Sequence, residues 1–157
     1  MEEPMDVEKV LQLLSKALPL QMRSTLQLNW LAGSAVGVEF QSIAAKLEAF
    51  SQKELDDTRL LIEKMTALGG VPPTAVAPLE DLPSSSAGIN RLIELEIETL
   101  KALHAVIPAT GQEARSEALE HLLEHLIMRK QHQIDFFIRV AGTPEDSASR
   151  LRGNNSL

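Results

Sequence analysis

The stretch Gly69-Gly70-Val71-Pro72-Pro73-Thr74-Ala75-Val76-Ala77-Pro78-Leu79-Glu80-Asp81-Leu82-Pro83-Ser84-Ser85-Ser86 decides the fold. Its paired glycines form a helix C-cap, and the prolines that follow keep the helix from resuming. About 17 residues then run without regular structure, which is long for a connection inside a compact domain. Extended at ~3.3 Å per residue, such a segment reaches more than ~50 Å, whereas a helix of about 28 residues is ~42 Å long. The segment can therefore run the full length of the helix before it. The next helix then starts at the opposite end, parallel to the one just left.

On both sides of this crossover the apolar residues recur in steps of three and four, the period of a helix with one buried face. Upstream, one stripe runs Val7, Val10, Leu14, Leu18, Gln21, Thr25, Leu28, Ala32, and a second runs Ile43, Leu47, Phe50, Glu54, Asp57, Leu61, Met65, Leu68. Downstream are Ile89, Ile93, Glu96, Leu100, Leu103, Ile107, then Leu119, Leu122, Leu126, Lys130, Gln133, Phe137, Val140. No stretch alternates in the manner of a strand. The spacing predicts helices near 6–33, 39–68, 87–107 and 112–141. Pro19 falls inside the first, where it removes a backbone hydrogen bond and favours a bend. The small residues Ala32 to Gly37 permit a tight turn or a close crossing between the first two helices, and Pro108-Ala109-Thr110-Gly111 gives a short link between the last two. Short, long, short connections define an all-α four-helix bundle with one long crossover between the second and third helices. Residues 1–142 make the bundle, and 143–157 read as a polar, solvated tail.

The 157 residues suffice for one domain with a substantial core. A net charge of −7 gives no concentrated basic face for nucleic acid and suits a metal, a cationic small molecule or a protein partner better. Cysteine is absent, which excludes disulfides and thiolate chemistry. No apolar run approaches the roughly 18 residues of a membrane span, and the first ten residues carry Glu2, Glu3, Asp6 and Glu8 instead of a basic leader, so a cytoplasmic protein with no membrane partner is expected.

Each stripe is interrupted near its middle by hydrophilic residues: Gln21 in the first, Glu54 and Asp57 in the second, Glu96 in the third, Lys130 and Gln133 in the fourth. Buried charge is costly unless it is paired or ligates something, so these positions define a polar centre inside the bundle. His121, His125, Met128 and His132 also recur at helical spacing on the fourth helix. They read as a metal face, a pH-sensitive contact, or an outer surface or subunit interface. Trp30 and His104 read as ordinary helix residues. Neither a glycine-rich phosphate loop nor a Ser/His/Asp arrangement is present.

The segments Leu14-Ser15-Lys16-Ala17-Leu18, Leu61-Ile62-Glu63-Lys64 with Leu68-Gly69-Gly70-Val71-Pro72, Leu95-Glu96-Ile97-Glu98 with Lys101 and Leu103, and Ile134-Asp135-Phe136-Phe137 stand in this order along the chain. In them the chain resembles the bacterioferritin branch of the ferritin-like superfamily. Their order and spacing span residues 5 to 141. The resemblance implies iron, at least a homodimer, and a di-iron centre built from a Glu on each of two helices and a Glu-x-x-His pair on each of the others. Carried over, the single Glu positions fall on Gln21 and Glu96, and the pairs on Glu54/Asp57 and Lys130/Gln133. No Glu-x-x-His occurs anywhere in the chain. Sliding the fourth helix by one residue exchanges Lys130 and Gln133 for Arg129 and His132, which still leaves a cation. Leu55 stands where bacterioferritins place a haem-ligating Met, so no haem is expected there.

Three readings of the centre remain. In the first, Lys130 pairs with Glu54, Asp57 and Glu96 in a buried network, with Gln21 and Gln133 adding hydrogen bonds, and the protein is an iron-binding, storage-related or structural subunit without efficient Fe(II) oxidation. In the second, Glu54, Asp57 and Glu96 hold metal in a di-iron or mixed-metal oxidase. In the third, the bundle interior accepts a small organic ligand.

Overall fold

A computed structural model describes residues 3–142. Four long helices, α1 (Val7–Ser34), α2 (Val38–Ala67), α3 (Ser86–His104) and α4 (Ala114–Ala141), are joined by the crossover and by a 3-10 turn at Ile107–Ala109. The described residues contain no strand. The expected tail at 143–157 lies outside them.

Local chemistry sets the helix ends. Asp6 caps α1, its carboxylate accepting from the Lys9 N–H at 3.1 Å, and Ser85 caps α3 through the Gly88 N–H at 3.3 Å. At the end of α2 the Gly70 N–H donates to the Met65 carbonyl at 2.9 Å and the Gly69 N–H to Thr66 at 3.0 Å. That is a Schellman closure, and Gly69, with φ of 87°, supplies the left-handed residue it needs. α3 stops at His104, short of the expected 107, because Pro108 disfavours helical backbone just before it and the chain tightens into the 3-10 turn. α1 continues through Pro19.

Contacts between helices give the direction of each. Gln21 meets Glu54 and the Thr25 carbonyl accepts from Ser51, so α1 and α2 are antiparallel. Ser24 meets Glu96 while Thr99 reaches back to Leu20, so α3 is antiparallel to α1 and parallel to α2, as the crossover requires. The crossover is fastened along α1. The Ala77 N–H donates to the Pro19 carbonyl at 3.1 Å, and the Val36 N–H to Ser84 Oγ at 3.1 Å. Between them the Gln27 amide pairs with the backbone of Glu80 in both senses, at 3.0 and 2.9 Å, as a neighbouring strand would. These contacts satisfy backbone groups that a loop would otherwise leave to water.

The crossover also packs tightly onto the start of α3. A Cβ at Gly88 would lie 1.9 Å from the Pro83 carbonyl oxygen, a backbone atom that cannot swing away. Gly88→Ala is therefore expected to destabilise the protein by about 1–3 kcal/mol, measured by urea unfolding, and unchanged stability would show that the crossover does not sit tightly there.

The apolar stripes close into two buried clusters. One gathers Leu14, Leu18, Leu61, Leu103, Leu119 and Leu126 with their neighbours at one end. The other gathers Leu28, Leu47, Phe50, Leu92, Phe137 and their neighbours at the opposite end, including Leu82 of the crossover. The polar centre lies between the two.

Candidate functional site

All six residues expected at the polar centre are buried: Gln21, Glu54, Asp57, Glu96, Lys130 and Gln133. Each stands on the core-facing side of its helix, at the depth where the stripe loses its apolar residue. Lys130, at 1% exposure, is among the largest fully enclosed side chains in the protein. Its ammonium lies 3.0 Å from Glu54 Oε1, 2.8 Å from Glu96 Oε2 and 2.9 Å from Ser24 Oγ. An ammonium has three donors, and each has an acceptor here. Ser24 donates in turn to Glu96 Oε1 at 2.7 Å, and Gln21 Nε2 donates to Glu54 Oε2. Every oxygen of these two carboxylates thus has a donor supplied by the protein.

The electrostatics follow from two carboxylates facing one ammonium. Burial raises the Glu54 carboxyl above its ordinary value; Lys130 opposes that rise and Glu96 reinforces it. For Lys130 burial favours the neutral amine, but the fields of Glu54 and Glu96 outweigh it and hold the ammonium above its ordinary value. The surrounding hydroxyls are satisfied by helix backbone: Ser51 by the Thr25 carbonyl at 2.9 Å, Thr58 by Glu54 at 2.7 Å, Thr25 by Gln21 at 3.2 Å. By contrast, Gln21 Oε1 and Gln133 Oε1 are buried without a hydrogen-bond partner.

Asp57 does not join Lys130. Its carboxylate accepts from Arg129 Nε at 3.0 Å and Nη2 at 2.5 Å, a two-pronged pair that the expected grouping of Asp57 with Glu54, Glu96 and Lys130 did not contain. The expected set therefore divides into a closed cluster of Glu54, Glu96, Lys130, Ser24 and Gln21, and a separate Asp57–Arg129 pair. Ser24 is the member that the sequence reading missed. The available signal was its position three residues after Gln21, on the same helical face.

The remaining candidates are peripheral. His121, His125 and His132 are exposed along α4 with Met128, and His121 Nδ1 lies 3.6 Å from Glu124. No group of three His, Asp or Glu is placed to hold a metal ion among the described residues. Trp30 is 38% exposed, beside Leu79, Glu80 and Asp81 of the crossover. His104 is exposed at the end of α3. No helix among the described residues is long and apolar enough to cross a membrane.

Four helices with a single lengthwise crossover and a polar centre at mid-depth define a ferritin-type bundle. The profile of the ferritin-like domain matches residues 11–143, and the chain belongs to that family. Among solved structures it is similar to a ferritin-like, diiron-carboxylate protein from Bacillus anthracis, at 20% identity and a TM-score of 0.80, over 87% of this chain and 98% of that one. It is also similar to BfrA, a bacterioferritin of Mycobacterium tuberculosis, at 20% identity and a TM-score of 0.72, over 82% of this chain and 80% of that one. At this identity the likeness establishes the fold alone. No curated protein matches the chain.

Proposed function

We propose that the protein is a ferritin-like bundle subunit whose centre is a buried ion-pair network, serving a structural or iron-binding, storage-related role without efficient Fe(II) oxidation of its own. The observation that carries this reading is the Lys130 ammonium within 3.0 Å of both Glu54 and Glu96. A di-iron centre needs open carboxylate oxygens and imidazoles around two cations. Here an organic cation sits between the carboxylates, whose oxygens already have donors, and no histidine enters the centre. Asp57, the third acidic residue of the oxidase reading, is held by Arg129. These residues do not fit a pair of metal ions.

Self-association forms part of the proposal. Leu26 and Trp30 are 41% and 38% exposed one turn apart on α1, and Leu55 and Ile62 are 51% and 37% exposed two turns apart on α2. We read these exposed pairs as part of the face that a second copy of the chain covers.

Metal analysis of protein purified without chelator, followed by anaerobic Fe(II) addition and exposure to air, tests the reading. We expect no tightly held iron pair and no oxidation faster than in buffer, from a protein that sediments as a dimer or larger. Rapid oxidation with the two irons per chain of a complete centre would overturn it.

A further inference from the structure

The groove between α2 and α4 is a feature that the central network leaves unexplained. Phe50, Lys53, Met128, Arg129, His132 and Gln133 line a cavity of about 340 Å3, within the size range of small-molecule sites. Phe50 and the exposed Met128 provide apolar walls. Lys53 and His132 are exposed at its rim, and the Arg129 side chain is 26% exposed. At the inner end stands Gln133, 2% exposed, with its amide oxygen buried and unpartnered. A buried amide without a partner is costly, and because its oxygen and nitrogen can exchange places it can meet a donor or an acceptor.

The Asp57–Arg129 pair acquires a role here. By taking Nε and Nη2, Asp57 fixes the plane of the guanidinium and leaves Nη1 without a hydrogen bond to the described residues. An Arg held this way presents its remaining donors with little further loss of freedom on binding. Cations extend the strip beyond the cavity. Lys46 Nζ lies 5.4 Å from the centre of the Phe50 ring, and the Arg139 guanidinium carbon 5.8 Å from that of Phe136. Asp57 is paired with Arg129, and Asp135 is an exposed acidic group on α4 between His132 and Arg139. On a chain of net charge −7, such a concentration of positive charge is complementary to an anion and repels a metal ion.

We propose that this groove binds a small organic anion with an apolar body. Arg129 and Lys53 hold its carboxylate-type head, Phe50 and Met128 flank the body, and Gln133 supplies a polar contact at the inner end. Asp57 is the positioning residue for Arg129. The site does not depend on whether the bundle handles iron.

Calorimetric titration of the full chain tests the assignment, with octanoate as the probe and acetate and 1-octanol as controls. Octanoate is expected to saturate a single site per chain and to bind at least about tenfold more tightly than either control. Lys53→Glu reverses an exposed charge, so it keeps the fold, and it is expected to weaken octanoate by about tenfold or more. Arg129→Gln weakens it further but strips Asp57 of its counter-ion, so Lys53→Glu, with thermal unfolding unchanged, is the deciding variant. Octanol or acetate binding as well as octanoate, octanoate binding that Lys53→Glu leaves intact, or no saturable octanoate binding at all would each overturn the proposal.

Discussion

Lys130→Met is expected to lower the stability of the bundle by about 3–5 kcal/mol at neutral pH, because it leaves two desolvated carboxylates facing each other without their cation. Methionine fills much the same volume, so the loss reflects charge and not a cavity. At roughly 2–4 °C per kcal/mol for a chain of this size, the melting temperature falls by about 10 °C. Adding Glu54→Gln and Glu96→Gln to Lys130→Met should recover most of the loss, since removing a whole buried network is far less costly than removing one partner. Urea unfolding of the single and triple variants measures both quantities. A loss under ~1 kcal/mol for the single variant, the range of an exposed pair, would mean that water reaches the centre.

The same network sets a pH dependence. The folded pKa of Glu54 lies above the ordinary carboxyl value of 4.5, so the stability linked to its proton is fully present below 4.5 and is lost as pH rises through the folded value. Lys130 lies above 10.5 in the folded state, so its contribution holds up to 10.5 and is lost beyond it. Without Lys130, Glu54 loses the cation that opposes the rise of its pKa and takes up a proton more readily. The deficit of Lys130→Met is therefore largest between neutral pH and 10.5, and shrinks as pH falls toward 4.5.

The second large effect is a gain of activity. Gln21→Glu, Asp57→His, Lys130→Glu and Gln133→His together replace the ammonium and its partners with the carboxylates and imidazoles of the family pattern. This variant is expected to bind iron in pairs and to oxidise Fe(II) at least about tenfold faster than the parent, ~1.4 kcal/mol of barrier. Arg129 loses Asp57 in the process, but its side chain is 26% exposed and can turn to water. Oxygen consumption after Fe(II) addition reads the result. A parent chain that already matches the variant would show that Lys130 is no obstacle.

The fold was legible because its signals are local and mutually consistent. A Gly-Gly-x-Pro-Pro stop, an 18-residue gap and apolar periods on either side admit few topologies. The depth of the centre was legible too, since Glu96 and Lys130 break stripes that are otherwise apolar. Which cation meets which carboxylate was not. Arg129 and Lys130 are neighbours on one helix, about 100° apart around its axis, and only the rotational setting of α4 decides which of them faces Glu54 and Glu96. Ser24 was hidden for a different reason: serine is common on any helix face, and its importance arises only from Glu96 and Lys130, 72 and 106 residues away in the chain. The grip of Gln27 on Glu80 was equally invisible, since a glutamine on α1 carries no mark of the backbone it will pair with.

The bundle consists of two antiparallel hairpins, α1–α2 and α3–α4, with the crossover fastened to the first. Glu96 and Lys130 belong to the same hairpin, whereas Ser24 and Glu54 belong to the other. A sub-global opening that parts the hairpins would leave the Glu96–Lys130 pair together and strand Glu54 with Gln21 alone. Within the network the second hairpin departs with its ion pair intact and the first is left with Glu54 unmatched, while the Asp57–Arg129 pair parts as well. The central network thus works as a one-sided latch.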